Sequence, residues 1–107
     1  MINITAQHIT DRVKKDFRPE DVDEALGILD RYGKEKWEEW PDFMRLAVLR
    51  LVNGNIKKLP GLVQTAKDDY RDILGAIHYQ YGQDWIEKFL NELRDTGAPE
   101  AEEEERS

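Results

Sequence analysis

The chain has 107 residues, 39% hydrophobic with ten aromatics, which suffices for one buried core and is too apolar for a disordered chain. It contains no cysteine, so a disulfide framework, a thiolate zinc site and a cysteine nucleophile are all excluded. The net charge of −7 is unevenly placed: residues 95–107 hold six acids and one arginine, leaving 17 acids and 15 bases on the rest. A body so near neutrality argues against a phosphate-binding patch and against nucleic acid as a partner.

The opening stretch, "MINITAQHITDRVKKDF", has no apolar run behind a basic flank, so no signal peptide is expected. Ile9, Val13 and Phe17 form one helical stripe, with Thr5 placed to cap it. Pro19 suits a first helical position, and Glu20 and Asp21 complement the dipole behind it. Val22, Ala25, Leu26, Leu29 and Tyr32 continue that helix to Gly33, a glycine suited to a left-handed stop.

The next run, "GKEKWEEWP", sets two tryptophans among charges. Trp37 and Trp40 are three apart and share a helical face, which predicts a short amphipathic turn or two. Both rings are expected to cap the core with their indole N–H groups near water. The other reading is an exposed platform for a partner, for which the aromatic candidates are Trp37, Trp40, Tyr79 and Trp85.

"PDFMRLAVLRLV", Pro41 to Val52, has only Arg45 and Arg50 as polar residues after its second position. A helix apolar nearly all round belongs in the middle of a fold, so this one is expected to be the hub. It is also the longest apolar stretch, and Arg50 interrupts it far short of a membrane span. A cytoplasmic protein without a membrane segment is expected. Two buried arginines need acceptors, and the aspartates of "KDDYRDIL", Asp69 and Asp72, are the expected partners.

Asn53-Gly54 stops the hub, Asn55 can cap the next segment, and Pro60-Gly61 predicts a kink or a short helix restarting at Pro60. Asp68 or Asp69 begins a helix whose face carries Tyr70, Ile73, Leu74, Ile77 and Tyr81, up to Gly82. Trp85, Phe89, Leu90 and Leu93 define a last helix. No alternating β-branched run occurs, so no sheet is expected. The chain is read as all-α: a compact bundle of five to six helices around a central apolar helix at about 41–53, with one domain over 1–94 and a disordered acidic tail over 95–107.

"ILDRYGKEKWEEW" echoes "AIHYQYGQDWIEKF": aligned on Tyr-Gly, Ile28 meets Ile77, Glu38 meets Glu87 and Trp40 meets Phe89. Two helices ending independently at glycine explain this as well as a duplicated hairpin does.

Chemistry is thinly signalled. The aliphatic hydroxyls are Thr5, Thr10, Thr65, Thr96 and Ser107, and no serine–histidine–aspartate set can be assembled. Neither glycine-rich phosphate motif occurs, and no cofactor is indicated. Asp68 and Asp72, four apart, could share a cation with His78 completing the site, but aspartates at a helix start ordinarily serve as caps.

Residues 45–74, through Asn53-Gly54 and Asp69-Tyr70-Arg71-Asp72, resemble a group of small all-helical bacterial proteins of unknown function. That resemblance implies a helical bacterial cytosolic protein and no activity. On these grounds the chain is read as a non-catalytic protein–protein interaction or regulatory module, acting on another protein or by self-association. The alternatives are a metal- or small-ligand-binding enzyme using the aspartate cluster, and an acidic inhibitor or antitoxin-like partner of a basic protein, acting through the tail.

Overall fold

The structure, a computed structural model, describes residues 4–38 and 40–97, with side chains as far as residue 93. Six α-helices follow one another: α1 (Ala6–Asp16), α2 (Val22–Leu29), α3 (Pro41–Val52), α4 (Leu59–Asp68), α5 (Tyr70–Tyr81) and α6 (Trp85–Gly97). Short 3₁₀ turns at Pro19–Asp21 and Ile56–Lys58 lead into α2 and α4. No strand occurs among the described residues. Most of the acidic tail lies outside them.

Local chemistry sets the boundaries. Thr5 accepts a hydrogen bond from the His8 backbone N–H, and the His8 ring accepts one from the Thr5 N–H, a reciprocal cap on α1. Asn53 ends α3 in the left-handed region at φ 51°, and Gly54 comes next at φ 80°. A Cβ on Gly54 would stand 3.1 Å from the Asp16 carbonyl oxygen, so this turn presses against the end of α1. Pro60 lies in the first turn of α4, the restart its sequence predicts. Asp69 then breaks the chain at φ −160° and caps α5 through the Arg71 N–H.

The hub is α3. Met44, Leu46, Ala47, Val48, Leu49 and Val52 are all buried, and α1, α4 and α5 pack on it. Around it Val13, Leu29, Leu59, Val63, Ile73, Ile77 and Phe89 join one continuous core. Burial on this scale, at about 25 cal/mol per Å² of apolar surface, is what holds the bundle together.

The arginine partners differ from those the sequence suggested. Arg45 reaches neither Asp69 nor Asp72; it donates to the Leu29 carbonyl at 3.1 Å and the Tyr32 carbonyl at 2.6 Å, with Asp30 at 3.4 Å. Arg50 stacks on the Tyr81 ring at 4.1 Å and lies 4.0 Å from Glu92. Arg45 thus meets the carbonyls at the end of α2, and Arg50 the ring of Tyr81 in the last turn of α5. Asp69 instead pairs with Arg71, two residues along its own chain.

Candidate functional site

The surface with most to explain is the connection from α2 to α3. After Leu29 the helix tightens, with Arg31 N–H bonding to the Ile28 carbonyl and Tyr32 N–H to the Leu29 carbonyl. Tyr32 turns into the core, 2% exposed, and Gly33 comes next at φ 103°. A Cβ at Gly33 would meet the Pro41 Cβ at 3.0 Å and an Arg45 nitrogen at 3.2 Å, so both conformation and space demand glycine.

Residues 34–38 and Trp40 lie in no helix. They close around Glu38, which the sequence placed among the solvated charges and which is buried. One Glu38 oxygen accepts the backbone N–H groups of Gly33, Lys34 and Glu35 at 2.8, 3.0 and 3.3 Å. The other meets the Lys67 ammonium at 2.7 Å, and Lys67 also donates to the Arg31 carbonyl. Burial opposes the charge on Glu38, but Lys67 and the three N–H groups outweigh it and hold the carboxyl below its ordinary range. The loop is cinched to α4.

With Glu38 drawn inward, Trp37 and Trp40 lie outward. Trp37 is 65% exposed and Trp40 is 54% exposed, which corrects the expectation that both cap the core. Trp40 occupies the left-handed region at φ 50°, ψ 61°. Pro41 disfavours the right-handed helical region for it, yet an aromatic residue in this one costs about 1–2 kcal/mol. Its carbonyl receives the first α3 hydrogen bond, from Met44 N–H at 2.9 Å, and its ring meets Tyr70 edge-on at 5.6 Å. Beside it Ile4, Pro41, Asp42 and Phe43 line an open, mainly apolar groove of about 590 Å³.

The other aromatic candidates do not join this patch. Trp85 is 4% exposed, wedged between Phe43 and Phe89 at 5.9 and 6.3 Å, and so is a core residue. Tyr79 is exposed, but nine residues along α5 from Tyr70, about 13 Å of helix rise, separate it from Trp40's neighbour.

The metal candidates also come apart. Asp68 is the last residue of α4, where Gln64 donates to it, and Asp72 lies in the first turn of α5; the break at Asp69 places them on different helices. His78 is exposed in the last turn of α5. Among the described residues no three histidine, aspartate or glutamate side chains are placed to hold a metal ion.

A second ionic cluster leaves no mark on the local sequence pattern. Arg12, 4% exposed, lies over the Phe89 ring at 3.6 Å and donates to the Phe89 carbonyl, Glu92 and Asp16. Burial pushes the Asp16 carboxyl above its ordinary value, although Arg12 pulls the other way. Phe89 and Glu92 stand 77 and 80 residues from Arg12, a separation that periodicity cannot register.

No helix among the described residues is long and apolar enough to cross a membrane. No family model, curated protein or solved structure matches the chain.

Proposed function

We propose that the protein is a non-catalytic helical module that binds another protein through the surface formed by Trp37, Trp40 and the groove beside them. The observation that carries this reading is Trp40: a large aromatic ring, half exposed, held in a conformation unfavourable for its residue type at the rim of an open apolar groove. Its one ring contact among the described residues, edge-on with Tyr70, leaves half of the side chain to solvent. Strain persists where surrounding structure enforces it, and it gathers at functional positions. Exposed tryptophans are also the side chains that most often anchor protein interfaces.

The loop supports the same conclusion. A half-buried ion pair and three backbone hydrogen bonds fix a segment with little apolar burial of its own, so the two indoles meet a partner already positioned. Ordering them in advance removes part of the entropic cost of association.

The test uses the intact chain as bait. Asparagine tolerates the left-handed region and is a good N-cap, so Trp40→Asn should fold with stability within about 1 kcal/mol of the parent. A protein retained by the parent and lost from both Trp40→Asn and Trp37→Ala supports the reading. Equal retention by all three, with matching thermal melts, overturns it.

A further inference from the structure

The two exposed tryptophans are held by different means. The carbonyl of Trp40 accepts the Met44 N–H at 2.9 Å, which ties its backbone to α3, and its ring rests against Tyr70. Trp37 has no such support: among the described residues its ring meets no other ring and its indole N–H no acceptor. From Gly33 to Trp40 the only buried side chain among the described residues is that of Glu38, so apolar burial does not anchor the segment. The bonds of Glu38 are of two kinds. Those with the N–H groups of Gly33, Lys34 and Glu35 span three to five residues and shape the loop without attaching it to the bundle. Attachment comes from Lys67, in the last turn of α4, whose ammonium meets the Glu38 carboxylate at 2.7 Å and the Arg31 carbonyl at 2.9 Å. Among the described residues no other hydrogen bond or ion pair joins residues 34–38 to another helix. One cation thus grips the segment at both ends.

We infer that Lys67 is a positioning residue of the binding surface proposed above, a role that stands on that reading: acting through Glu38, it holds Trp37 in place relative to Trp40. No other group on the page can substitute for it. A carboxylate deprived of its cation is costly to keep buried, and the Lys67 side chain, 26% exposed, marks the side from which water reaches the pair. Without Lys67 the Glu38 carboxylate is drawn to water, and the segment carrying Trp37 moves with it. Trp40 stays with α3, which begins at Pro41. The surface then loses the fixed relation between its two rings while the bundle remains folded. A partner must order the loop again on binding, at a cost in conformational entropy.

Backbone and indole ¹⁵N relaxation of the full chain tests this without a partner. In the parent, residues 34–38 should give order parameters near the rigid value of about 0.85. Lys67→Met keeps a stem of similar length and removes the charge. In it residues 34–38 and the Trp37 indole should fall below about 0.6, while the Trp40 amide and the Trp85 indole keep their parent values. Lys67→Arg returns a cation and should return the order. Used as bait, Lys67→Met should retain several-fold less of the protein that the parent retains, and Lys67→Arg the parent amount. Unchanged order at 34–38 in Lys67→Met would mean that the loop holds itself. An equal fall at the Trp85 indole would mean that Lys67 serves the fold at large, and a loosened loop with full retention would mean that the position of Trp37 is immaterial. Any of the three overturns the inference. A parent bait that retains nothing tells against the surface rather than the latch, which the relaxation data decide alone.

Discussion

The two Tyr-Gly junctions begin alike and end differently. Gly33 and Gly82 both have positive φ, at 103° and 85°, and each succeeds a tyrosine at the end of a helical segment. After Gly82 the chain winds directly into α6, burying Trp85 and Phe89 and leaving Glu87 exposed. After Gly33 it stays irregular, burying Glu38 and leaving Trp37 and Trp40 outside. At the aligned positions acid and aromatic have exchanged environments. The cause is downstream. Pro41 disfavours a right-handed helical conformation at Trp40, which lies at φ 50° instead, while α6 meets no proline before its end. Deprived of helical partners, the N–H groups of residues 33–35 are satisfied by the Glu38 carboxylate instead. One proline converts a core-forming motif into a surface-forming one.

Three substitutions separate the two junctions, in descending order of effect. Trp85→Ala should destabilise the fold by about 4 kcal/mol, read by urea unfolding, because it empties a site packed on both sides by Phe43 and Phe89. A loss below about 1 kcal/mol would mean that the second junction is as superficial as the first.

Glu38→Ala should cost about 3 kcal/mol, since it leaves Lys67 and three N–H groups without their acceptor. The same residue sets a pH dependence. Its folded carboxyl lies below the ordinary value of 4.5, so its contribution is complete above that value and is lost as the pH falls through the lowered one. Asp16 has the opposite sign: with its value raised above 3.8, protonation favours the folded state, and that contribution disappears as the pH rises through the raised value. The slope of melting temperature against pH on the acid side should therefore flatten in Glu38→Gln and steepen in Asp16→Asn.

Trp37→Ala should change stability by no more than about 0.5 kcal/mol in the same urea titration, as expected of a side chain resting on solvent. A larger loss would show that its ring supports the loop rather than projecting from it.

The sequence carried the hub, the helix count and most of the stops, because these depend on residues near one another in the chain. The apolar run 41–52, the Asn53-Gly54 turn, the Asp69 cap and the restart at Pro60 are each written in a few adjacent positions. The features that escaped it depend on distant meetings. Glu38 stands in a run of charges until Lys67 reaches it from α4, and nothing near Arg12 in the chain announces that α6 covers it. Trp40 and Trp85 each stand at helical spacing from an aromatic neighbour, and only their backbone context separates surface from core. The signal that places Trp40 outside the core is Pro41, acting on the conformation of the residue before it.

The reach of Arg12 has a consequence for how the chain is made. Its guanidinium sits on the first helix, while the Phe89 carbonyl and the Glu92 carboxylate that receive it belong to the last. On a ribosome, which releases the amino terminus first, α1 must wait with a charge it cannot yet enclose until residues 89–92 have left the exit tunnel. The charge on α1 is thus enclosed only after the other five described helices have been made.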